Sequence, residues 1–328
     1  MLKAEDLALT LLLTVCNSQA QGTTSGALIK TAWKPLAALS KKLAKVPPTS
    51  SHLLEQLANK LQKLQLQRAK SDVYLESTTD NVTASQWFPI KFALAAKINT
   101  LTTRIRTEAS KAVHGTAAAE FVRGGITEFF SVATGAYATA SQGCIATGTT
   151  ASSGAETAVG SIGSLGPDAP DVSALKATAS EGHDNLDFYD ADGLKALTTQ
   201  TGIADSSLTD DAKCNLFKAG ASGIQQSAAI ATTISFALGF LGRHPTEGTA
   251  TARDCTKQAN LGQPIDTNPL LHYKTLHTAL IALAPTKTLT IPKFDATQLA
   301  DLKSDANFIK AVKTHFIGIK TAQITTEE

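Results

Sequence analysis

The chain contains two long stretches in which apolar side chains recur at the spacing of one helical face. In the first stretch, leucines follow one another three, four and three residues apart, at Leu54, Leu57, Leu61 and Leu64. In the second stretch, the spacings are four, three and four, at Leu94, Ile98, Leu101 and Ile105. A heptad-like spacing of this kind is typical of helices that pack side by side in a coiled coil. The pattern therefore predicts two long helices in contact with each other.

Prolines and polar residues indicate where these helices begin and end. A first helix is expected over residues 25–46, with a break at Pro47-Pro48 and a serine cap for the first long helix just after it. The polar stretch 76–85 predicts a turn, and the second long helix is expected to follow Pro89 and to reach about Ala140. The short connection makes the two long helices antiparallel.

The predicted fold class is mostly α, a long antiparallel coiled-coil helical hairpin with loop-rich lobes at its ends. About 45 helical residues with a rise of 1.5 Å each reach roughly 70 Å, which predicts an elongated molecule. Residues 142–223 are rich in Gly, Ser, Thr and Ala and predict loops with short strands or turns. Helical patterning returns at 224–241, 270–284 and 296–322.

The composition narrows the classes of function. Of the 328 residues, 43% are hydrophobic but only 5% are aromatic, and small side chains suit close packing of helices. The net charge is +2, with basic residues interleaved with acidic ones, so nothing favours nucleic acid or an acidic membrane surface as a partner. No segment after the N-terminus is apolar for the length that a transmembrane helix requires.

The two ends of the sequence carry signals of targeting. Residues 1–20 are typical of a secretory signal peptide, with Lys3, an apolar run and a small-residue cleavage site at Ser18-Gln19-Ala20. An ordinary amphipathic first helix is the alternative. If the signal is cleaved, residues 21–328 form the mature domain. The polar C-terminus lacks the hydrophobic tail of a glycolipid-anchor signal, so the protein is soluble or the sequence stops before such a tail.

The cysteines and one asparagine are candidate sites of covalent modification. Cleavage of the signal peptide leaves Cys144, Cys214 and Cys255. An odd number in an oxidising compartment predicts one disulfide with a leftover thiol, or a bond between chains. The predicted turn between the long helices contains one N-glycosylation sequon, Asn81-Val82-Thr83.

No motif in the sequence carries catalysis or a cofactor. His272 and His277 lie five residues apart, so they do not share a helical face as zinc ligands at i and i+4 do. The Gly-rich stretch 160–166 lacks the strand-before, helix-after context of a phosphate-binding loop. The acidic stretch 183–192 lacks the glycine and the terminal glutamate of a calcium loop and reads as a solvated surface loop. We therefore expect no catalytic, cofactor-binding or metal-binding residues.

Five motifs in register resemble one protein family. They are AWKPLAALSKKL, KSDVYLES, AAAEFVRGGITEFFSVA with the SQGC that follows it, DDAKCNLF and GIQQSAAIATTIS. In order and rough spacing they are similar to class A variant surface glycoproteins of African trypanosomes. The similarity covers about residues 26–240 and fades after that.

The resemblance implies two long antiparallel helices in each subunit, with loops packed at both ends, assembled as a homodimer through the long helices. It implies a surface coat glycoprotein that shields the cell, presents variable loops to host antibodies and is exchanged in antigenic variation. Catalysis is not expected. The implied location is the extracellular face of the plasma membrane, with a lipid anchor in a full-length form whose C-terminal domain and anchor signal are absent from this sequence.

The resemblance also assigns the modification sites. Cys144 and Cys214 match one family disulfide. A second family disulfide is missing, because Ala37 stands where the family has its first cysteine and the loop near Gly166 offers no second one. We expect packing alone to fasten this end of the first helix, and Cys255 has no assigned partner. A glycan on Asn81 would lie at the end of the helical hairpin nearer the membrane.

A second function remains open on the same scaffold. Trypanosomes have relatives of coat proteins that bind a host serum protein, including the serum-resistance-associated protein. The missing disulfide and the shortened region after residue 240 leave open that this chain binds a host serum protein. They do not decide between the two functions, because coat proteins themselves vary widely.

Overall fold

The computed structural model describes residues 26–149, 158–175, 186–195, 197, 214–217, 232–243, 250–252, 261, 264–265, 268–269 and 271–287, with a few helical residues between 309 and 317. Within helices and strands, the side chains of residues 81–86, 88–89, 250–252, 264–265, 268–269 and 284–287 are not described. The predicted signal peptide, Cys255 and most of the patch at 296–322 lie outside the described residues.

The described chain is mostly helical and contains two long helices, as the heptad patterns predict. Four α-helices are described: α1 (Lys30–Leu43), α2 (Val46–Ser77), α3 (Asn81–Gly135) and α4 (Leu271–Lys287). The patch predicted at 270–284 corresponds to α4. The long helices α2 and α3 contain 32 and 55 residues.

The breaks predicted at Pro47-Pro48 and at residues 76–85 are wider than the interruptions that the structure has before and after α2. Pro47 and Pro48 lie inside the first turn of α2, because a proline at this position lacks only an N–H group that has no partner in the helix. Only Thr78–Asp80 separate α2 from α3. The hydroxyls of Ser77 and Thr78 donate hydrogen bonds to the Tyr74 carbonyl at the end of α2, so this polar stretch continues the helix instead of forming a long turn.

The second long helix also begins and ends earlier than predicted. It begins at Asn81, eight residues before Pro89, and it ends at Gly135 instead of near Ala140. The residues after Gly135 form a short antiparallel pair, β1 (Tyr137–Thr139) with β2 (Gln142–Gly143). A local strand pairing therefore replaces the last predicted turn of the helix.

The heptad residues of the two long helices pack together in one of two compact units of the chain. This unit contains the described parts of 47–116 and of 279–328. Its helix-to-helix core contains Leu64, Leu94 and Ile98, with Leu61, Ile90 and Leu101 packed against it. Nearer the connection, Lys91 pairs with Asp72 and Trp87 stacks on Tyr74. Because the residue numbers rise along α2 as those of their α3 partners fall, the helices are antiparallel.

The other compact unit contains α1, the C-terminal part of α3, the N-terminal part of α4 and the loops. Its core is aromatic where α1 meets α3, with Trp33 packed edge-on against Phe130 at 5.9 Å between ring centroids. Leu36 on α1 and Ile126 on α3 are fully buried in the same unit. The inward orientation of Trp33 and Leu36 follows from their spacing of three residues on one helical face.

The prediction of a helix over 224–241 is wrong for residues 232–241, which are the part that the structure describes. Residues 234–243 form an antiparallel hairpin of β3 (Ile234–Phe236) and β4 (Leu241–Arg243), and β5 (Ala250–Ala252) pairs with β4. The turn needs left-handed backbone at Ala237, Leu238 and Gly239. Tyr273 on α4 donates a hydrogen bond of 3.0 Å to the Ala237 carbonyl. A two-residue pair, β6 (Pro264–Ile265) with β7 (Asn268–Pro269), precedes α4.

Candidate functional site

The two cysteines that match the family pair form a disulfide in the loop-rich unit. Cys144 and Cys214 are bonded, their Cα atoms are 4.7 Å apart and they are separated by 70 residues in sequence. Both residues are fully buried. Cys144 follows β2 immediately, so the disulfide ties the chain around Cys214 to the segment that leaves the long helix α3.

The segment after Cys144 pairs with the start of the described chain. The Leu28 amide donates to the Cys144 carbonyl at 2.7 Å, and the Ala146 amide donates back to the Leu28 carbonyl at 2.9 Å. The Trp33 indole donates to the Ala146 carbonyl at 2.8 Å, although 113 residues separate them. These bonds fix the Cys144 side of the disulfide against α1.

Aromatic packing fixes the Cys214 side. Phe217 lies in contact distance of Phe129 on α3 and stacks edge-on against Phe236 on β3, with ring centroids 6.4 and 5.4 Å apart. The buried Arg243 on β4 donates a hydrogen bond of 2.6 Å from Nε to the Phe217 carbonyl. The short segment at Cys214 is therefore held by a covalent bond, a ring cluster and a charged donor.

The end of α1 near Ala37 is fastened by ion pairs as well as by packing. Ala37 is fully buried, and the loop near Gly166 forms a short 3₁₀ helix over Ile162–Asp168. Asp168 pairs with Lys30 at 2.6 Å and with Lys34 at 3.0 Å. The expectation of packing alone is therefore wrong, because two ion pairs join α1 to the loop near Gly166.

The charge on Asp168 makes this junction sensitive to acid. Hydrogen bonds from Lys30 and then Lys34 hold the pKa of the Asp168 carboxyl below its usual value. A lowered pKa in the folded state adds stability above the unfolded-state pKa, about 3.9, and this stability is lost as the pH falls through the folded-state value.

We expect Asp168→Asn to lower the free energy of unfolding slightly at pH 7, because exposed ion pairs contribute little. The deficit relative to the unaltered chain should shrink as the pH falls below about 4, since that chain then loses the same charge. Urea unfolding at pH 7 and pH 3 measures both values. Asp192→Asn is the matched control, because Asp192 is exposed and has no ion pair within the described residues. A deficit of equal size at both pH values would contradict the role of the charge.

The described part of the acidic stretch 183–192 exposes its aspartates and buries its aromatic residues. Asp187 pairs with Lys42 at 3.0 Å, and Phe188 and Tyr189 are buried. Burial raises the pKa of Tyr189 to about 12. The Asp190 carboxylate accepts hydrogen bonds from the backbone amides of residues 192 and 193, which lowers its pKa. The acids of this part lie at the surface, as expected of a solvated loop, while the buried Phe188 and Tyr189 anchor it.

The two histidines considered as metal ligands have separate surroundings. The buried His277 ring lies 2.8 Å from the Asp190 carbonyl, whereas the exposed His272 stacks on Phe121. Among the described residues, no three His, Cys, Asp or Glu side chains lie together in a way that could hold a metal ion.

The sequon asparagine is a helical residue. Asn81 is the first residue of α3, and the whole sequon lies in the first turn of that helix. The prediction that Asn81 lies in a turn is therefore wrong. The turn ends at Asp80, one residue before Asn81. Within the described residues, no helix combines the length and the apolar character needed to cross a membrane.

Sequence patterns did not reveal the buried Arg123, which binds a loop of this unit. Arg123 on α3 is almost completely buried, pairs with Glu120 and donates to the Ser173 carbonyl at 2.9 Å. Its carboxylate partner lies three residues before it on the helix, and a charged residue on the buried face of an apolar helix is the signal that could have revealed it.

Comparisons with known proteins give one consistent result. The model of the family described as "Trypanosome variant surface glycoprotein (A-type)" matches residues 9–327. The curated protein "Variant surface glycoprotein MVAT5" of Trypanosoma brucei rhodesiense is 29% identical over 299 residues. That alignment covers 91% of this chain but 57% of the relative, so the chain spans little more than half the length of the relative it matches.

The fold has a counterpart among solved structures. The structure titled "Structure of MITat 1.1" superposes with a TM-score of 0.62 at 19% identity, covering 89% of this chain and 85% of that one. The fold and the buried disulfide thus define a protein with long paired helices and with loop segments joined to each other covalently. Since the family model covers nearly the whole sequence, the chain belongs to the A-type variant surface glycoprotein family of trypanosomes.

Proposed function

We propose that this chain is the outer part of a surface coat glycoprotein that shields a trypanosome and takes part in antigenic variation. The match of the family model to residues 9–327 is the observation that carries this proposal. No catalysis is proposed. Loops held by a disulfide and by ion pairs to a helical scaffold suit this role, because the loop sequence can change while the scaffold stays the same.

The proposed assembly and location follow from the same family. The curated relative is longer than this chain, and we propose that the full-length form carries a lipid anchor at the extracellular face of the plasma membrane. We also propose a homodimer through the long helices α2 and α3. Host antibodies are the expected partners of the exposed loops.

Copy number and ligand binding test the coat function. We expect an abundant surface protein that retains no single serum component when human serum is passed over it. Quantitative mass spectrometry of surface-labelled cells gives the copy number, and an affinity column of the folded chain tests serum binding. A scarce protein that captures one serum protein tightly would instead favour the alternative, a coat-derived protein that binds a host serum factor.

We predict that Asn81 carries an N-linked glycan in the native protein. The sequon begins at the first residue of α3, next to the three-residue connection. Treatment with a peptide-N-glycosidase, which hydrolyses the amide bond between the glycan and the asparagine side chain, should lower the mass of the native protein and leave aspartate at position 81 in the tryptic peptide. Asn81→Gln should show the lower mass without treatment. An unmodified Asn81 peptide as the main species would contradict the prediction.

A further inference from the structure

The turn of the β3–β4 hairpin has an unfavourable backbone conformation. Ala237, Leu238 and Gly239 follow one another with φ angles of 48°, 56° and 87°. Glycine adopts positive φ values freely, but a residue with a Cβ atom does so at a cost in free energy. In the described part of the chain, Ala237 and Leu238 are the two residues other than glycine that have positive φ. Adjacent residues in this conformation persist only where other contacts compensate for the strain.

The compensating contacts come from two helices outside the hairpin. The buried Tyr273 on α4 donates a hydrogen bond of 3.0 Å from its hydroxyl to the Ala237 carbonyl. The Leu238 side chain fills the space beside Gly125 on α3, where an added Cβ would lie 2.5 Å from Leu238 Cγ. Neither contact lies within the hairpin, so α3 and α4 hold the strained turn in place.

The same hairpin covers the short segment that contains Cys214. Phe236 on β3 stacks edge-on against Phe217 with 5.4 Å between ring centroids, and Arg243 on β4 donates from Nε to the Phe217 carbonyl at 2.6 Å. Phe217 and Cys214 are both buried, and the Phe217 amide donates to the Cys214 carbonyl at 3.2 Å. Because each strand of the hairpin supplies one contact to Phe217, displacement of the hairpin breaks both contacts at once.

We propose that the β3–β4 hairpin and residues 214–217 form a latch that opens as one unit while α1 and α3 stay folded. Opening breaks the contacts of the turn with Tyr273 and Gly125, but it also releases the strain at Ala237 and Leu238. It therefore costs less free energy than unfolding of the whole loop-rich unit. Segments that open in this way are separate cooperative units within a folded protein. The latch is a conformational device of the fold and is additional to the proposed coat function.

Native-state hydrogen exchange of the full chain, followed by mass spectrometry of its peptides, tests the latch without any substitution. Peptides from residues 234–243 and the peptide that contains Phe217 should exchange with the same opening free energy. Peptides from residues 119–130 of α3 should exchange at least about tenfold more slowly, since that helix stays folded when the latch opens. Equal protection of the hairpin and α3, or different opening free energies for the hairpin and the Phe217 peptide, would overturn the proposal.

Two substitutions should shift the opening of the latch in opposite directions. Tyr273→Phe removes only the hydroxyl that holds the Ala237 carbonyl, so it should speed the exchange of both latch segments about fivefold. Ala237→Gly keeps that carbonyl and relieves the strained backbone, so it should slow the exchange of both segments about threefold. An unchanged rate in either variant would contradict the role of the hydrogen bond or of the strain, and with it the latch.

Ile29→Val is the control for a general loss of stability. Ile29 is fully buried just before α1, and the substitution removes one methyl group without altering the turn. It should speed the exchange of α3 about fivefold, because α3 exchanges only when the whole unit unfolds. The exchange of the latch segments should stay the same, since α1 is folded both before and after the latch opens. Equal acceleration of the latch and of α3 by Ile29→Val would mean that the hairpin opens only in global unfolding, which would overturn the proposal.

Discussion

Replacing Cys144 and Cys214 together with serine is expected to lower the free energy of unfolding by about 4 kcal/mol in the chain-entropy model. The disulfide closes a loop across 70 residues of sequence, and its loss releases that loop in the unfolded state. Such a loss is large beside the stability of about 5–15 kcal/mol that folded proteins have. Guanidinium unfolding followed by circular dichroism measures the change.

Reduction of the unaltered chain is the internal control for this prediction. Unfolding in the presence of a thiol reductant should lower the stability of the unaltered chain to that of the double variant, whereas the double variant should not respond. Equal stability of the two oxidised proteins would show that packing at Phe217 and the hydrogen bonds at Cys144 hold the loops without the disulfide.

Gly125→Ala is expected to destabilise the protein by about 1–3 kcal/mol, the usual cost of forcing extra atoms into a packed site. A Cβ at Gly125 would lie 2.5, 2.7 and 2.9 Å from three side-chain atoms of Leu238. The backbone at Leu238 is fixed in the left-handed turn of the β3–β4 hairpin, which Tyr273 holds through the Ala237 carbonyl, so only rotation of the Leu238 side chain could relieve the contact. Thermal and urea unfolding give the magnitude.

Gly124→Ala is the matched control on the neighbouring residue. Its Cβ would meet no atom within 4 Å, so only helix propensity changes, and alanine is favoured over glycine by about 1 kcal/mol. We therefore expect opposite signs for two identical substitutions at adjacent positions of α3. Equal stabilisation by both would mean that the Leu238 side chain rotates away at little cost.

The sequence predicts the paired long helices because their packing depends on a local periodicity. Leu64, Leu94 and Ile98 belong to the two heptad patterns and form the observed helix-to-helix core. The exact helix ends depend on side chains and on competing local structure. Prolines fit the first turn of α2, and the β1–β2 pair competes with the end of α3, so both boundaries differ from the prediction.

The contacts that fasten the loops could not be predicted from spacing. Lys30 and Asp168 are far apart in the sequence, and nothing near either residue indicates that they meet. The sequence does not predict the β3–β4 hairpin, because a short apolar run does not distinguish a strand from a helix by periodicity. The pairing of Cys144 with Cys214 came from family resemblance, since three cysteines leave several pairings open.

Because Cys144 and Cys214 are completely buried, the rate at which their disulfide is reduced also measures how often the surrounding structure opens. A dissolved thiol must reach a sulfur atom directly to exchange with it, and neither residue exposes any surface in the folded state. At high reductant concentration, the rate of reduction should therefore stop rising and equal the rate at which the surrounding loops open. The lifetime of the disulfide then reports kinetic stability, a property that equilibrium unfolding does not measure.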